Sequence, residues 1–205
     1  GIVLIVVDQI GLSIALPTIA FHFEADLSVV QWVVVGHALT ISILLLPLGR
    51  VSDIVGRRYM HIAGFTIFVI GATVAGFSPS LLGLTLGRIL QGIGTAIVFG
   101  NSMAIMVTVF PKNERGKALG GFAVAVGVGG IVGPLVGGFL VDFLGWRSLF
   151  YFSSLGGVLI VGLGLILLDP DRFTSSQVNA CRPKFDLIGS LLCAGTILIL
   201  LLAIT

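Results

Sequence analysis

The sequence predicts an all-α membrane protein, and three observations support this prediction. Hydrophobic residues make up 57% of the 205 residues and charged residues only 10%, with a mean hydropathy of +1.17; soluble domains lie far from these values. A hydrocarbon core about 30 Å thick needs about 20 apolar residues of helix, and the chain offers that length repeatedly. The 29 glycines suit membrane helices, in which small residues let backbones approach closely.

Seven apolar spans can be read along the chain. We predict them at 1–21, 29–49, 60–77, 81–109, 117–141, 147–168 and 187–205. The first six should form one transmembrane bundle over residues 1–168, followed by a cytoplasmic linker over 169–185 and a truncated seventh helix over 186–205. Because the chain begins at Gly1 rather than Met and ends within an apolar run, we expect it to be a fragment of a longer protein.

The distribution of basic residues predicts the orientation of these spans, because cytoplasmic loops carry an excess of Lys and Arg. The first loop holds Glu24 and Asp26 and no basic residue. The second, fourth and sixth loops hold three basic residues each: Arg50, Arg57, Arg58, Lys112, Arg115, Lys117, Arg172, Arg182 and Lys184. We therefore expect a multi-pass protein of the cell membrane whose N-terminus and even-numbered loops are cytoplasmic, with Ser78 outside.

Charge and cysteine content exclude several classes of function. A net charge of +2 gives no basic surface for nucleic acid, and Cys181 and Cys193 show neither metal-ligand nor disulfide spacing. The apolar spans contain no His-rich cluster, no nucleophile beside a base and no phosphate loop, so we expect no cofactor, no metal and no enzyme activity.

The second loop carries the first recognisable motif. Its residues Gly49, Asp53, Gly56, Arg57 and Arg58 match every position of G-x-x-x-D-x-x-G-R-[KR], and the segment resembles the signature loop of the major facilitator superfamily. The glycines permit a tight turn between helices, and Asp53 can pair with Arg57 and cap a helix N-terminus. The resemblance implies a conformational switch; the alternative is a charged loop that only sets topology.

The fourth span carries a second match. Arg88, Gln91, Gly92 and Gly94 resemble the R-x-x-Q-G-x-G element of the same superfamily. Together with Thr95 they form a polar stripe at helical spacing, which we expect to line a cavity, with Arg88 paired because a lone charge in lipid is costly. A structural Arg that bonds backbone carbonyls is the alternative.

The first span contains Asp8, and with Ala15, Leu16 and Pro17 it is similar to the D-x-T-x-x-N-x-A-L-P element of drug exporters. An ionised Asp near mid-bilayer costs about 2.5–3.5 kcal/mol, so we expect Asp8 to be a proton-coupling or cation-binding carboxylate rather than only a structural one. Arg88 is the obvious partner, but a rise of 1.5 Å per residue places Asp8 about 9 Å deeper.

The second span contains His37, at a position where relatives of these exporters usually have Tyr. A His in an apolar helix can relay protons. The alternative is a bundle residue that is only hydrogen-bonded to its neighbours.

The fifth span holds a glycine-rich element: Gly129, Gly133, Pro134, Gly137 and Gly138. It resembles the G-x-x-x-G-P-x-x-G-G element associated with antiporters. Pro134 has no N–H for the helix, so a kink is expected, while glycines at four-residue spacing form a seam on which another helix can pack and slide. Plain tight packing is the alternative. A soluble dinucleotide-binding loop is excluded, because both flanks are membrane-length apolar runs.

Two further segments indicate the branch of the superfamily. Trp146, Arg147 and Phe150 resemble the W-R-x-x-F entry to the sixth helix, and the short linker before the seventh span resembles the fourteen-helix drug:proton antiporter branch. The resemblance implies the six-helix N-terminal bundle of a major facilitator fold plus the first linker helix.

By the same resemblance, the function should be proton-coupled efflux of amphipathic drugs or toxic compounds. The expected partners are a small-molecule substrate, protons, the lipid bilayer and a missing C-terminal half. The alternatives are a sugar or metabolite transporter and a non-transporting membrane scaffold.

Overall fold

The computed structural model describes residues 1–109, 111, 113–167 and 195, and residues 1–167 of this set are helical apart from short turns. The helices are α1 (Ile2–Phe23), α2 (Leu27–Val30), α3 (Trp32–Val55), α4 (Arg57–Phe77), α5 (Leu81–Val109), α6 (Arg115–Leu144) and α7 (Arg147–Leu167). The predicted linker over 169–185 lies outside the described residues, and of the predicted seventh span only Gly195 is described.

Six of the described helices or helix pairs are long and apolar enough to cross a membrane. The short α2 joins α3 through Gln31, whose backbone is also right-handed helical, so the two form one span over Leu27–Val55. This is longer than the predicted 29–49. An apolar run stops at the first charged residue, whereas the backbone hydrogen bonds continue to the polar end of the helix.

Two glycines provide the sharp reversals between helices. Gly56 separates α3 from α4 with φ +112°, and Gly145 separates α6 from α7 with φ +80°. L-residues rarely adopt these angles, because their Cβ meets the neighbouring peptide. The expectation that Gly56 permits a tight turn is confirmed.

The helices pack so that α5 lies against α3 and α4, while α1 lies against α6 and α7, and α4 also contacts α7. All seven helices contribute apolar side chains to the larger core, as does Trp146 just before α7. The core includes Leu12, Ile19, Val33, Leu84 and Phe150. A smaller core joins α1, α4 and α5 through Ile5, Phe65, Phe68 and Val98. The interior between the two cores is polar.

The glycine seam of α6, defined as Gly129, Gly133 and Gly137, is buried and packs against α1. A Cβ added to Gly137 would lie 2.5 Å from Gly11 Cα, and one added to Gly133 would lie 3.0 Å from Ile10 Cβ. The predicted close packing of another helix on this seam is therefore confirmed. Its partner is α1, the helix that carries Asp8.

Candidate functional site

Four buried polar side chains meet where α1, α5 and α7 come together. They are Asp8 from α1, Arg88 and Gln91 from α5, and Ser153 from α7, and we call them the carboxylate cluster. Their relative exposures are 3%, 1%, 0% and 0%. Groups as polar as these are tolerated in an apolar bundle only when they are paired and hydrogen-bonded.

Asp8 accepts a hydrogen bond from each of the other three members. Arg88 Nη1 donates to Asp8 Oδ2 at 2.6 Å, Ser153 Oγ donates to Oδ1 at 2.6 Å, and Gln91 Nε2 donates to Oδ1 at 3.1 Å. Arg88 Nη1 also lies 2.6 Å from Gln91 Oε1. Both carboxylate oxygens are thus engaged by donors from α5 and α7.

The charges in the cluster balance one another. Asp8 and Arg88 form a salt bridge at 2.6 Å with almost no solvent exposure, and the Arg88 guanidinium carbon lies 6.0 Å from the centre of the Phe150 ring. Removing one partner of such a pair typically costs about 3–5 kcal/mol, because the other charge stays buried without compensation. Neutralising Asp8 would therefore leave the buried Arg88 charge without its counter-charge.

The sequence placed Asp8 about 9 Å deeper in the membrane than Arg88, yet the two side chains are in contact. The guanidinium is hydrogen-bonded to Gln91, which lies nearly one helical turn further along α5, so the Arg88 side chain reaches away from the outer end of its helix. The count treated side chains as points at Cα and the outer ends of the helices as level.

His37 and Thr95 lie beside the cluster but do not touch Asp8. His37 Nδ1 is 3.1 Å from the carbonyl oxygen of Arg88; since a carbonyl only accepts, Nδ1 carries the hydrogen. Thr95 Oγ1 donates to the carbonyl of Gln91 at 3.0 Å. Among the described residues, His37 Nε2 and Arg88 Nε have no hydrogen-bond partner, which leaves one acceptor and one donor next to the cluster.

The expectation that this polar stripe lines a cavity stays a prediction. Arg88, Gln91, Thr95 and His37 are at most 2% exposed, although only one six-helix unit surrounds them. Within this unit Arg88 and Gln91 bond each other through their side chains, while His37 and Thr95 bond backbone carbonyls of α5.

Sequence reasoning did not find Ser153. Its only signal is its place on the sixth span, three residues after Phe150 of the W-R-x-x-F segment. Phe150 is likewise buried, and its ring lies beside the Arg88 guanidinium. A serine in an apolar helix is common, and its partner here lies 145 residues away.

The loop between α3 and α4 contains the expected ion pair. Arg57 contacts Asp53 Oδ1 through Nη2 at 3.1 Å and Nε at 3.2 Å. Asp53 lies in the last turn of α3, where the helix dipole disfavours a negative charge, and the arginine offsets this. The N-cap position of α4 is occupied by Gly56, not by Asp53 as expected, because α3 continues through Asp53 to Val55.

Sequence comparison assigns the family. The sequence model described as Major Facilitator Superfamily matches residues 1–205. The chain belongs to the major facilitator superfamily. The chain is 35% identical over 203 residues to the riboflavin transporter RibZ of Clostridioides difficile, and the match covers 99% of the chain and 43% of RibZ. It is 33% identical over 193 residues to the multidrug resistance protein Stp of Mycobacterium tuberculosis, covering 94% of the chain and 35% of Stp.

Other similarities support the facilitator fold. The chain is 33% identical to a probable actinorhodin transporter of Streptomyces coelicolor, covering 95% of the chain and 33% of that protein. A solved structure of a bacterial homologue of the human lysosomal transporter Spinster, inward-facing and unoccupied, superposes with a TM-score of 0.70 at 22% identity, covering 80% of this chain and 40% of the other. The chain thus spans less than half the length of these relatives.

Proposed function

We propose that the protein carrying this facilitator chain is a secondary active transporter that exports amphipathic, often cationic, compounds in exchange for protons. The observation that supports this most is the buried carboxylate of Asp8, held by one arginine and two neutral donors. A carboxylate in an apolar bundle can become neutral by taking up a proton, which changes the charge of the site by one.

In this proposal a proton bound by Asp8 removes the counter-charge of Arg88. With Asp8 ionised, the pair is neutral and the salt bridge ties α1 to α5. Once Asp8 is protonated, Arg88 retains Gln91 Oε1 but loses its counter-charge, so the helices are held less firmly. Proton binding therefore biases the equilibrium between two helix arrangements, as alternating access requires.

Two other motifs take part in the conformational change of this mechanism. The glycine seam lets α1 shift along α6 at close range, since no side chain of the seam obstructs it. The pair of Asp53 and Arg57 at the α3–α4 junction stabilises one of the two access states. The substrate path lies between this six-helix unit and a second one from the remainder of the protein, near the bilayer midplane.

The names of relatives agree with export. Similar proteins include the multidrug resistance protein Stp and the tetracenomycin C resistance and export protein of Streptomyces glaucescens, the latter 27% identical over 195 residues. The exposed apolar faces of the bundle are suited to the lipid bilayer. We propose the cell membrane as the location, with the N-terminus in the cytoplasm.

The experiment is proton-driven accumulation in inside-out vesicles that contain the full-length transporter. Wild type and Asp8→Asn are compared with one cationic and one neutral amphipathic compound. Asp8→Asn keeps the side-chain shape and removes the titration, so accumulation of both compounds should fall to the level of empty vesicles. Undiminished accumulation of both by a folded variant would refute the coupling role.

A second candidate function is transport of a metabolite rather than of drugs. It is favoured by the 35% identity to the riboflavin transporter RibZ over nearly the whole chain. Riboflavin is uncharged, so a transporter of riboflavin needs no binding site for a cation. Vesicles that transport riboflavin but neither cationic nor neutral amphipathic drugs would support this candidate over the first.

A further inference from the structure

The Ser153 hydroxyl is the one member of the carboxylate cluster that belongs to none of the sequence motifs. Its Oγ lies 2.6 Å from Asp8 Oδ1, and the side chain is fully buried. It comes from α7, whereas Arg88 and Gln91 both come from α5. Ser153 therefore joins a third helix to the carboxylate.

The three partners of Asp8 differ in the bonds they can make. Arginine is a donor only, and Gln91 presents its amide nitrogen to the carboxylate, again a donor. The acceptor oxygen of Gln91 is engaged by Arg88 Nη1 at 2.6 Å. As they are placed, both residues present donors and not acceptors to the carboxyl group.

A hydroxyl can both donate and accept, and it changes role by rotating about the Cβ–Oγ bond. We propose that Ser153 is the positioning residue that receives Asp8 in its protonated form, turning from donor to acceptor when the carboxylate takes up a proton. This inference rests on the proposed function, because it takes Asp8 as the coupling carboxyl group.

The step involves one proton and no other reactant. A hydronium ion from bulk water breaks one of its O–H bonds and becomes water, its proton forms an O–H bond at Asp8 Oδ1, and no bond to a protein heavy atom breaks. The Ser153 hydroxyl hydrogen turns to the carbonyl of Leu149, one helical turn earlier, which is the acceptor that serines in helices commonly use. The new Oδ1–H group then donates to Ser153 Oγ, and loss of the proton reverses each movement.

The groups around the carboxylate fix the charge balance of this step. Asp8 faces the Arg88 guanidinium from α5, with His37 of α3 behind it on the Arg88 carbonyl. Arg88 keeps its charge throughout. Proton uptake therefore changes the net charge of the site by one, and Ser153 is the group that satisfies the carboxyl group in both states.

The test compares Ser153→Ala, Ser153→Thr and Ser154→Ala in the full-length transporter, using the pH profile of proton-driven transport. Ser154 is the matched control, because it lies next to Ser153 on α7 but its hydroxyl bonds Thr73 Oγ1 of α4 at 2.9 Å. Ser153→Ala should move the profile toward alkaline pH by up to about one unit, since the ionised form loses a charge-assisted hydrogen bond and the neutral form a weaker one. Ser153→Thr and Ser154→Ala should keep the wild-type profile.

A wild-type profile for Ser153→Ala, or an equal shift for Ser154→Ala, would overturn the inference. If Ser153→Ala does not fold, Ser153→Cys is compared with Ser153→Thr. Because a thiol accepts hydrogen bonds weakly, the pH profile of Ser153→Cys should shift. A wild-type profile for Ser153→Cys would contradict the proposed role of Ser153. Asp8→Asn separates the two proposals. Coupling that survives Asp8→Asn refutes the proposed function, whereas loss there with an unshifted Ser153→Ala refutes only the role of Ser153.

Discussion

At the scale of single residues, Asp8 and Arg88 depend on each other. Each is the other's counter-charge in a site with almost no solvent exposure, and the two contacts of Arg88 Nη1 at 2.6 Å tie Asp8 and Gln91 to one guanidinium. Breaking the pair should lower stability, and the pair is also a candidate for coupling. Stability and transport must therefore be measured separately.

Arg88→Ala should lower the free energy of unfolding by about 3–5 kcal/mol, because it leaves Asp8 buried without its counter-charge. The double variant Asp8→Asn with Arg88→Gln should recover most of that loss, since two neutral amides can bond each other, but it should not transport with protons. Thermal unfolding of the purified full-length variants measures the two stabilities. Two results would contradict this expectation: an Arg88→Ala variant as stable as wild type, or a double variant less stable than Arg88→Ala.

The sequence could identify the charged members of this site but not its assembly. Asp8, Arg88 and Gln91 stand out because polar groups in apolar helices need partners. Which of them touch depends on helix tilt and side-chain reach, and counting along the helix erred for that reason. Ser153 is one of many small hydroxyl residues in the spans, so only the three-dimensional structure distinguishes it.

At the scale of elements, the contact of α1 with α6 is set by glycine. The seam holds two backbones so close that a Cβ at Gly137 would lie 2.5 Å from Gly11 Cα. On the same helix, a Cβ at Gly138 meets no atom within 4 Å among the described residues. These adjacent glycines form a matched pair for an experiment.

Gly137→Ala should lower the free energy of unfolding by about 1–3 kcal/mol, as overpacking does, and should slow transport because α1 is displaced. Gly138→Ala should change stability by less than about 0.5 kcal/mol. Unfolding and transport rates of the two full-length variants give the comparison. Equal effects at the two positions would show that the seam is not a close helix contact.

The ion pair at the α3–α4 junction leads to a second prediction at this scale. Asp53→Asn removes the charge that contacts Arg57, so one access state loses stabilisation, and transport should fall more than substrate affinity. Glu24→Gln, an exposed carboxylate on another loop, is the control and should have no effect. The maximal rate and the substrate dissociation constant of each variant are the measurements. An unchanged rate for Asp53→Asn would reduce the loop to a topology signal.

The elements were predicted more completely than the contacts between them. All six described membrane spans were anticipated from apolar length, since bilayer thickness dictates it. Their ends were less accurate at α3, which continues past Arg50 to Val55, because hydrogen bonding within a helix extends beyond its apolar run. The pairing of α6 with α1 required the structure, since a glycine seam does not specify its partner.

At the scale of the whole molecule, orientation is the first prediction. Lys117, Arg58 and the N-terminus should face the cytoplasm and the α4–α5 turn should face outside. Ser78 is only 3% exposed, so its exposed neighbour Ser80 is the better labelling position. In a full-length protein free of other cysteines, an impermeant thiol reagent added outside intact cells should label Ser80→Cys and not Lys117→Cys. The reverse pattern would invert the topology.

The six-helix unit contains the proposed proton site by itself. All four members of the carboxylate cluster lie within residues 1–167 and are buried there, whereas the chain covers only 33–44% of the relatives matched over nearly its full length. In the proposed mechanism, one half of the transporter therefore senses the proton and both halves enclose the substrate. Coupling must then pass from α1 and α5 to the surface between the halves.

The most direct measurement is substrate-induced proton release from the purified full-length transporter in weakly buffered detergent solution. At a pH low enough for Asp8 to carry the coupled proton, substrate should displace that proton, so wild type should acidify the medium on addition of substrate, and Asp8→Asn should bind the same substrate without acidification. Equal proton release by wild type and a folded Asp8→Asn variant would contradict the assignment of Asp8 as the coupling carboxyl group.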